Sequence, residues 1–138
     1  MAAPSIAVVE AGTSINVSQE ISLKKDGFLH GFAIAEYQNS GATSCPNCNW
    51  AEFETRPGAI KDNQRSGLAC GHWANFARDF QLAQNAGANS FRFSFEWSVF
   101  EPIHGVWNEE AVAHYHQELA AMQAAHLTPL ALSLIHIS

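Results

Sequence analysis

Three cysteines and one histidine have the types and spacing of metal ligands. Cys45 and Cys48 are separated by two residues, and Cys70 and His72 are separated by one. Thiolates and imidazoles bind zinc in tetrahedral sites, and two cysteines with two residues between them are a common half of such a site. The second pair is tighter than usual, and an odd number of cysteines fits reduced thiols. These residues are therefore a structural zinc site or, as the spacing favours, free thiols in a long loop.

A segment of strictly alternating residues carries a second group of chemically active side chains. Successive side chains of a strand point to opposite faces, so residues 90–97 separate aromatic from polar residues. The aromatic face holds Phe91, Phe93, Phe95 and Trp97, and the polar face holds Ser90, Arg92, Ser94 and Glu96. A polar face on a central parallel strand needs polar surroundings, which the upper interior of a (β/α)8 barrel provides. Arg92 and Glu96 would lie about 13 Å apart along the strand, so pairing between them does not account for Arg92.

Four glutamates are candidates for acid–base chemistry, and none is assigned to it. Glu96 and Glu101 have no identifiable partner in the sequence. Glu109 and Glu110 follow Asn108, a good N-cap residue, and suit the first turn of a helix, where carboxylates face the positive end of the helix dipole. The latter pair is therefore interpreted as part of a helix start.

Periodicity predicts the elements that position these residues. Apolar residues recur at helical spacing over 73–83, and Gly87 follows where a helix C-cap belongs. A second helix is predicted from Asn108, and strands are predicted at 90–97 and 130–137. The order is repeated βα, which predicts parallel strands joined by helical crossovers.

The first half of the chain is less regular. Residues 1–26 are interpreted as a leader or an irregular segment, and residues 28–37 as a first buried strand. Residues 39–68 are rich in Gly, Pro, Asn, Ser and Thr, and we expect a long loop there. Loops of that length are usually functional.

Composition excludes several classes of protein. The 138 residues are 47% hydrophobic and carry a net charge of −6, which fits one globular domain and offers no basic patch for nucleic acid or anionic membranes. No run approaches the roughly 20 apolar residues that cross a bilayer. The N-terminus does not read as a signal peptide, so a cytoplasmic location is the default expectation.

Four segments in succession resemble glycoside hydrolase family 1. Residues 28–38, FLHGFAIAEYQ, are similar to the first strand of that family, and residues 66–73, SGLACGHW, to its first helix and lead-in. Residues 89–98, NSFRFSFEWS, resemble its second strand, and residues 105–110, GVWNEE, the start of its second helix. Their order and spacing make the succession specific, although each segment alone is a weak signal.

The resemblance implies an α/β fold, with residues 27–138 forming about the first β1-α1-β2-α2-β3 portion of a (β/α)8 TIM barrel. It implies a retaining β-glycosidase that acts on terminal β-linked sugars with two carboxylates and no cofactor or metal. The family carries them in Asn-Glu-Pro and Glu-Asn-Gly segments, and neither occurs here. We therefore expect an N-terminal fragment that is inactive and poorly soluble alone.

The resemblance also assigns two site residues. Gln38 matches the family glutamine that hydrogen-bonds sugar hydroxyls, and Arg92 matches the arginine that supports the nucleophile. The family histidine of the third strand has no aligned counterpart, because His136 is one residue late and would face the opposite side of the strand. Either a bulge corrects the position of this histidine or residues 132–138 are not native to the gene, and we favour the second interpretation because the match fails only at this end. Trp50 is interpreted as a core residue, although tryptophans near a barrel mouth also stack on sugars.

Three alternatives remain open from the sequence. The first is another (β/α)8 glycosidase of the same broad clan. The second is a small zinc-stabilised binding module built on Cys45, Cys48, Cys70 and His72. The third is a non-catalytic carbohydrate-binding relative.

Overall fold

The computed structural model describes residues 9–10, 13–14 and 27–133. The first two pairs form the short antiparallel strands β1 (Val9–Glu10) and β2 (Thr13–Ser14). The rest of the segment interpreted as a leader lies outside the described residues, so that interpretation stays a prediction.

Three parallel strands form the main sheet, as the repeated βα order predicts. They are β3 (Gly31–Ala33), β4 (Ser90–Phe95) and β5 (Thr128–Ser133), and their order in the sheet equals their order in the chain. Gly31 pairs with Ser90, and Ser90 pairs with Thr128, so the three strands start level with one another. Their carboxyl ends consequently open onto the same edge of the sheet.

Helices fill the connections between these strands. They are α1 (Glu36–Ser44), α2 (Asn49–Thr55), a 3-10 turn (Lys61–Asn63), α3 (His72–Asn85), α4 (Trp97–Phe100) and α5 (Glu109–Ala124). None of the helices in the described part of the chain is long and apolar enough to cross a membrane.

The core lies between the aromatic face of β4 and helices α3 and α5. Phe91 and Phe93 are buried against Phe80 of α3 and Tyr115 and Met122 of α5. The rings of Phe80 and Phe91 meet edge to face with centroids 5.0 Å apart, a favoured aromatic geometry. The predicted division of this strand into an aromatic and a polar face is confirmed, with the aromatic face toward the helices.

The predicted helix ends are also confirmed. The Asn108 side chain accepts hydrogen bonds from the backbone N–H groups of Glu110 and Ala111, at 3.1 and 3.3 Å. Gly87 follows the end of α3 with a φ of +91°, a left-handed conformation that favours glycine.

Four predicted elements differ from the observed ones. The first strand is only three residues long, because the backbone turns into α1 at Glu36. The supposed loop at 39–68 contains most of α1, the whole of α2 and the 3-10 turn.

The alternating strand ends at Phe95, because the Glu96 carboxylate accepts a hydrogen bond from the Ser98 N–H and so starts α4, which includes Trp97. The last strand begins two residues early at Thr128, and residues 134–138, including His136, lie outside the described residues.

Candidate functional site

A cavity of about 680 Å³ lies at the carboxyl ends of β3 and β4. Its walls come from α1, α2 and the turn between β4 and α4. The carboxyl edge of a parallel sheet is where α/β folds place their ligand sites, because the loops there are free to carry functional side chains. The lining includes two carboxyls and several amides and hydroxyls but no Lys or Arg, so it suits a neutral polar ligand.

Gln38 lines this cavity from the first turn of α1. Its side chain is exposed, so both the donor and the acceptor of the amide are accessible to a ligand. The start of this helix is fixed to the sheet, because the backbone N–H of Glu36 donates to the Ser94 hydroxyl at 3.0 Å. Gln38 therefore sits in a helix anchored to β4 rather than at the end of the first strand, where the sequence places it.

Two tryptophans flank the cavity. Trp50, in α2, is 58% exposed, so its interpretation as a core residue is wrong. Its ring meets Phe53 edge to face, with centroids 5.7 Å apart. Trp97 begins α4, and its indole N–H donates to the Ser133 hydroxyl at 2.8 Å. Aromatic faces beside hydrogen-bonding groups are suited to ligands that have one apolar face and a polar rim.

Arg92 is separate from this cavity. It lies on the polar face of β4, it is exposed, and it is not among the lining residues. Its carbonyl is fixed by the Ile34 N–H at 2.9 Å, which ties the end of β3 to β4. Among residues 27–133 its side chain forms no ion pair, and Glu96 is engaged by Ser98 instead, at 2.9 Å between Oε1 and the hydroxyl.

The other glutamates singled out in the sequence lie in local structural positions outside the cavity. Glu101 accepts a hydrogen bond from the Gly105 N–H at 2.6 Å, and His104 lies 3.3 Å away. Glu109 and Glu110 are in the first turn of α5, as predicted. None of the three lines the cavity, and all remain unassigned to catalysis.

The four candidate zinc ligands are dispersed. Cys45 and Cys48 are buried beside α2, where the Cys48 thiol accepts a hydrogen bond from the Ala51 N–H at 3.3 Å. Cys70 is exposed, and His72 Nδ1 lies 2.7 Å from Asp79 Oδ2. In the part of the chain that the structure describes, no three His, Cys, Asp or Glu side chains are grouped so as to hold a metal ion. The observed arrangement therefore does not support the zinc-module alternative.

The structure adds a buried polar cluster at the cavity wall, where Glu36 is a lining residue. Glu36, Ser40 and Glu118 are at most 1% exposed, and the Glu118 carboxylate lies 2.9 Å from His114 Nε2. Burial raises the pKa of Glu36 to about 7, against the opposing effect of the Ser40 hydrogen bond. Burial likewise raises the pKa of the Cys45 thiol. In each of the pairs Glu36–Ser40 and His114–Glu118 the residues are four positions apart, a spacing that brings side chains together on a helix. This spacing is the sequence signal from which the two contacts could have been predicted.

Residues 20–137 match the sequence model of glycosyl hydrolase family 1. The chain belongs to this family. The match covers all the main-sheet strands and all the helices, so the family fold accounts for the elements that form the cavity.

A curated family 1 relative is the 1,4-β-D-glucan glucohydrolase of Thermotoga neapolitana. It is 28% identical over 108 residues, which are 75% of this chain and 25% of the relative. The chain therefore spans about a quarter of the length of that relative.

Solved structures of family 1 β-glucosidases have the same local fold. A rice β-glucosidase superposes with a TM-score of 0.73 at 30% identity, over 82% of this chain and 24% of that one. A Humicola insolens β-glucosidase solved in complex with glucose superposes with a TM-score of 0.69 at 32% identity, over 75% and 23%. The parallel sheet and its helices are thus consistent with the predicted part of a family 1 TIM barrel.

Proposed function

We propose that this chain forms part of the sugar-binding site of a retaining β-glycosidase that hydrolyses terminal β-linked sugars, with β-glucosides as the first candidates. The observation that carries the proposal is the cavity at the carboxyl edge of the sheet, with Gln38 on its wall in a family 1 fold. Named relatives in the family are glucosidases and a glucan glucohydrolase.

The chemistry of a retaining glycosidase needs two carboxyl groups about 5–5.5 Å apart. One attacks the anomeric carbon and forms a glycosyl-enzyme, while the other protonates the leaving oxygen and then activates water. We assign neither role to a glutamate of this chain, and we place both in segments of the family fold that the chain does not span. The residues of this chain then bind and orient the sugar.

Gln38 is suited to recognise the hydroxyls of a sugar. Its amide offers a donor and an acceptor to neighbouring hydroxyls, which themselves donate and accept. The cavity wall contributes no cation, which favours a neutral sugar over a phosphorylated one. The exposed Trp50 and the half-buried Trp97 offer ring faces on which a sugar ring stacks.

Arg92 is proposed to support the nucleophile. A guanidinium forms charge-assisted, two-point hydrogen bonds with a carboxylate and keeps it ionised and oriented. This role is compatible with an exposed guanidinium on the polar face of β4, the face opposite the helices.

Gln38→Ala tests the proposal in a protein that carries this chain together with the Asn-Glu-Pro and Glu-Asn-Gly segments. We expect kcat/KM for p-nitrophenyl β-D-glucoside to fall on the order of a hundred-fold, because two hydrogen bonds to the sugar are lost. Steady-state hydrolysis, followed by release of p-nitrophenol, measures this change.

Gln64→Ala is the matched control. Gln64 is an exposed glutamine outside the cavity, so its replacement should leave kcat/KM unchanged. Equal losses in both variants would contradict the role of Gln38. Binding of the glucoside without hydrolysis in the longer protein would instead identify a non-catalytic carbohydrate-binding relative.

The 138-residue chain alone should not hydrolyse the same substrate. Hydrolysis by this chain that disappears on replacing Glu96 or Glu101 would refute the proposed division of labour.

A further inference from the structure

Two carboxylic acids are buried beside the cavity, and one of them, Glu36, is among the residues that line it. Glu36, in α1, is 1% exposed, and Glu118, in α5, is fully buried, as is Ser40. Removing a carboxylate from water is costly unless it is paired with a cation and fully hydrogen-bonded, so buried acids require an explanation.

Each of these acids has only one partnered oxygen. Ser40 Oγ donates to Glu36 Oε1, and His114 Nε2 lies 2.9 Å from Glu118 Oε1. Within residues 27–133, Oε2 of both glutamates is buried and has no hydrogen-bond partner. A neutral carboxylic acid costs less to bury than an ionised one, so the unpartnered Oε2 of Glu36 is a position for a proton.

The charged groups that face Glu36 are mostly acidic. Glu118 and His114 face it from α5, and Glu96 faces it from the turn after β4. From α3 the nearest polar group is the backbone N–H of Trp73, which is neutral, and no Lys or Arg faces Glu36 from the described elements. His114 is the sole basic side chain of the set, and it is already engaged with Glu118.

Glu36 also fixes the helix turn that carries Gln38. Its backbone N–H donates to the Ser94 hydroxyl at 3.0 Å, which attaches the turn to β4. Its side chain accepts from Ser40, and Ser40 Oγ in turn accepts from the Trp73 N–H at 3.1 Å, which attaches the turn to α3. Gln38 lies between Glu36 and Ser40 in the sequence of this turn.

We propose that Glu36 is a positioning residue for Gln38. A protonated Glu36 holds the first turn of α1 against β4 and α3. Loss of its proton to solvent places a charge against Glu118 and Glu96, displaces the turn and weakens sugar binding at Gln38. The part of this inference that concerns sugar binding rests on the proposed function, whereas the coupling of Glu36 to Gln38 does not.

The direction of the pH dependence follows from the raised pKa of Glu36. Burial, aided by the charge of Glu118, raises this pKa from the ordinary value of 4.5 to about 7. A raised pKa means that the folded state binds this proton more tightly than the unfolded state. Its stabilising contribution is complete below pH 4.5 and is lost as the pH rises through 7.

The test follows the Gln38 side-chain amide by NMR in the full chain from pH 5.5 to 9. We expect its resonances to titrate with a midpoint near that of Glu36 and to become independent of pH in Glu36→Gln. Glu118→Gln removes a facing charge and should move the midpoint to lower pH, which keeps the proposal testable if Glu36→Gln does not fold. Glu52→Gln is the control, because the Glu52 side chain is 72% exposed and pairs with Arg56 at the surface.

Methyl β-D-glucoside, added to the longer protein that carries this chain together with the Asn-Glu-Pro and Glu-Asn-Gly segments, separates this inference from the proposed function. We expect its affinity to fall on the order of ten-fold across the titration and to stay constant in Glu36→Gln. Gln38 resonances that do not titrate, or that titrate unchanged in Glu36→Gln, would overturn the inference. Affinity that is independent of pH in the unaltered chain would do the same. Resonances that titrate as expected, without glucoside binding by that longer protein at any pH, would support the coupling and refute the proposed function.

Discussion

Replacing Gly41 with alanine is expected to destabilise the fold by about 3–5 kcal/mol and to disorder α1. Gly41 lies inside α1 with φ +71° and ψ 176°, a conformation essentially restricted to glycine. An added Cβ would also overlap the carbonyl group of Gly67 and lie 3.0 Å from the Ala69 N atom. The backbone strain and the steric overlap both destabilise the folded state of the variant, so the two losses of stability add.

The segment that blocks this Cβ cannot move away without losing hydrogen bonds. Thr43 N–H donates to the Gly67 carbonyl at 3.0 Å, and Ala42 N–H donates to the Ser66 hydroxyl at 3.0 Å. Urea denaturation followed by circular dichroism measures the change in the free energy of unfolding.

Gly58→Ala separates strain from overlap. Gly58 has a similar φ of +75° but has nothing within 4 Å of an added Cβ. We expect it to cost about 1 kcal/mol, from backbone strain alone. Equal effects of the two alanines would show that close packing between α1 and residues 66–69 is unimportant.

Replacing Phe93 with alanine should cost about 3–5 kcal/mol, because it removes a fully buried ring from the centre of the core. The ring lies in the cluster with Tyr115 and Met122 and meets Phe95 edge to face at 5.2 Å. Helix movement fills such a cavity only in part, since α5 is also attached to Glu96 through the Tyr115 hydroxyl, which accepts the Glu96 N–H at 3.1 Å.

Phe32→Ala is the matched control for this core. Phe32 is in the neighbouring strand of the same sheet, but it is 51% exposed. We expect a loss below about 1 kcal/mol in the same urea titration. A comparable loss in both variants would contradict the assignment of the core to the helix-facing side of β4.

The elements around Phe93 could be predicted from the sequence, and those around Gly41 could not. Helices α3 and α5 and strand β4 have regular apolar periods, and Gly87 and Asn108 mark two of the helix ends, so local pattern and tertiary packing agree. Helices α1 and α2 are short, and the first is interrupted by a glycine. Hydrogen bonds to distant segments such as Ser94 and Ser66 hold α1 in place, and these are invisible to local periodicity.

The candidate site shows the same division. The resemblance of its segment to a family motif indicates Gln38 as a site residue, and Gln38 lies on the cavity wall. The approach of Glu36 to Glu118 depends on how α1 and α5 pack across the end of β4, which no spacing in the sequence specifies. Arg92 remains a prediction.

The order of the strands also bears on how the chain assembles. Gly31 must find Ser90 across α1, α2 and α3, whereas Ser90 reaches Thr128 across α4 and α5. Closing the shorter of two loops loses less chain entropy, and contacts that are closer in sequence form faster. We therefore expect the β4–α5–β5 unit to form first and the cavity wall with Gln38 to be added to it later. Substitutions in α1 should then speed unfolding more than they slow folding.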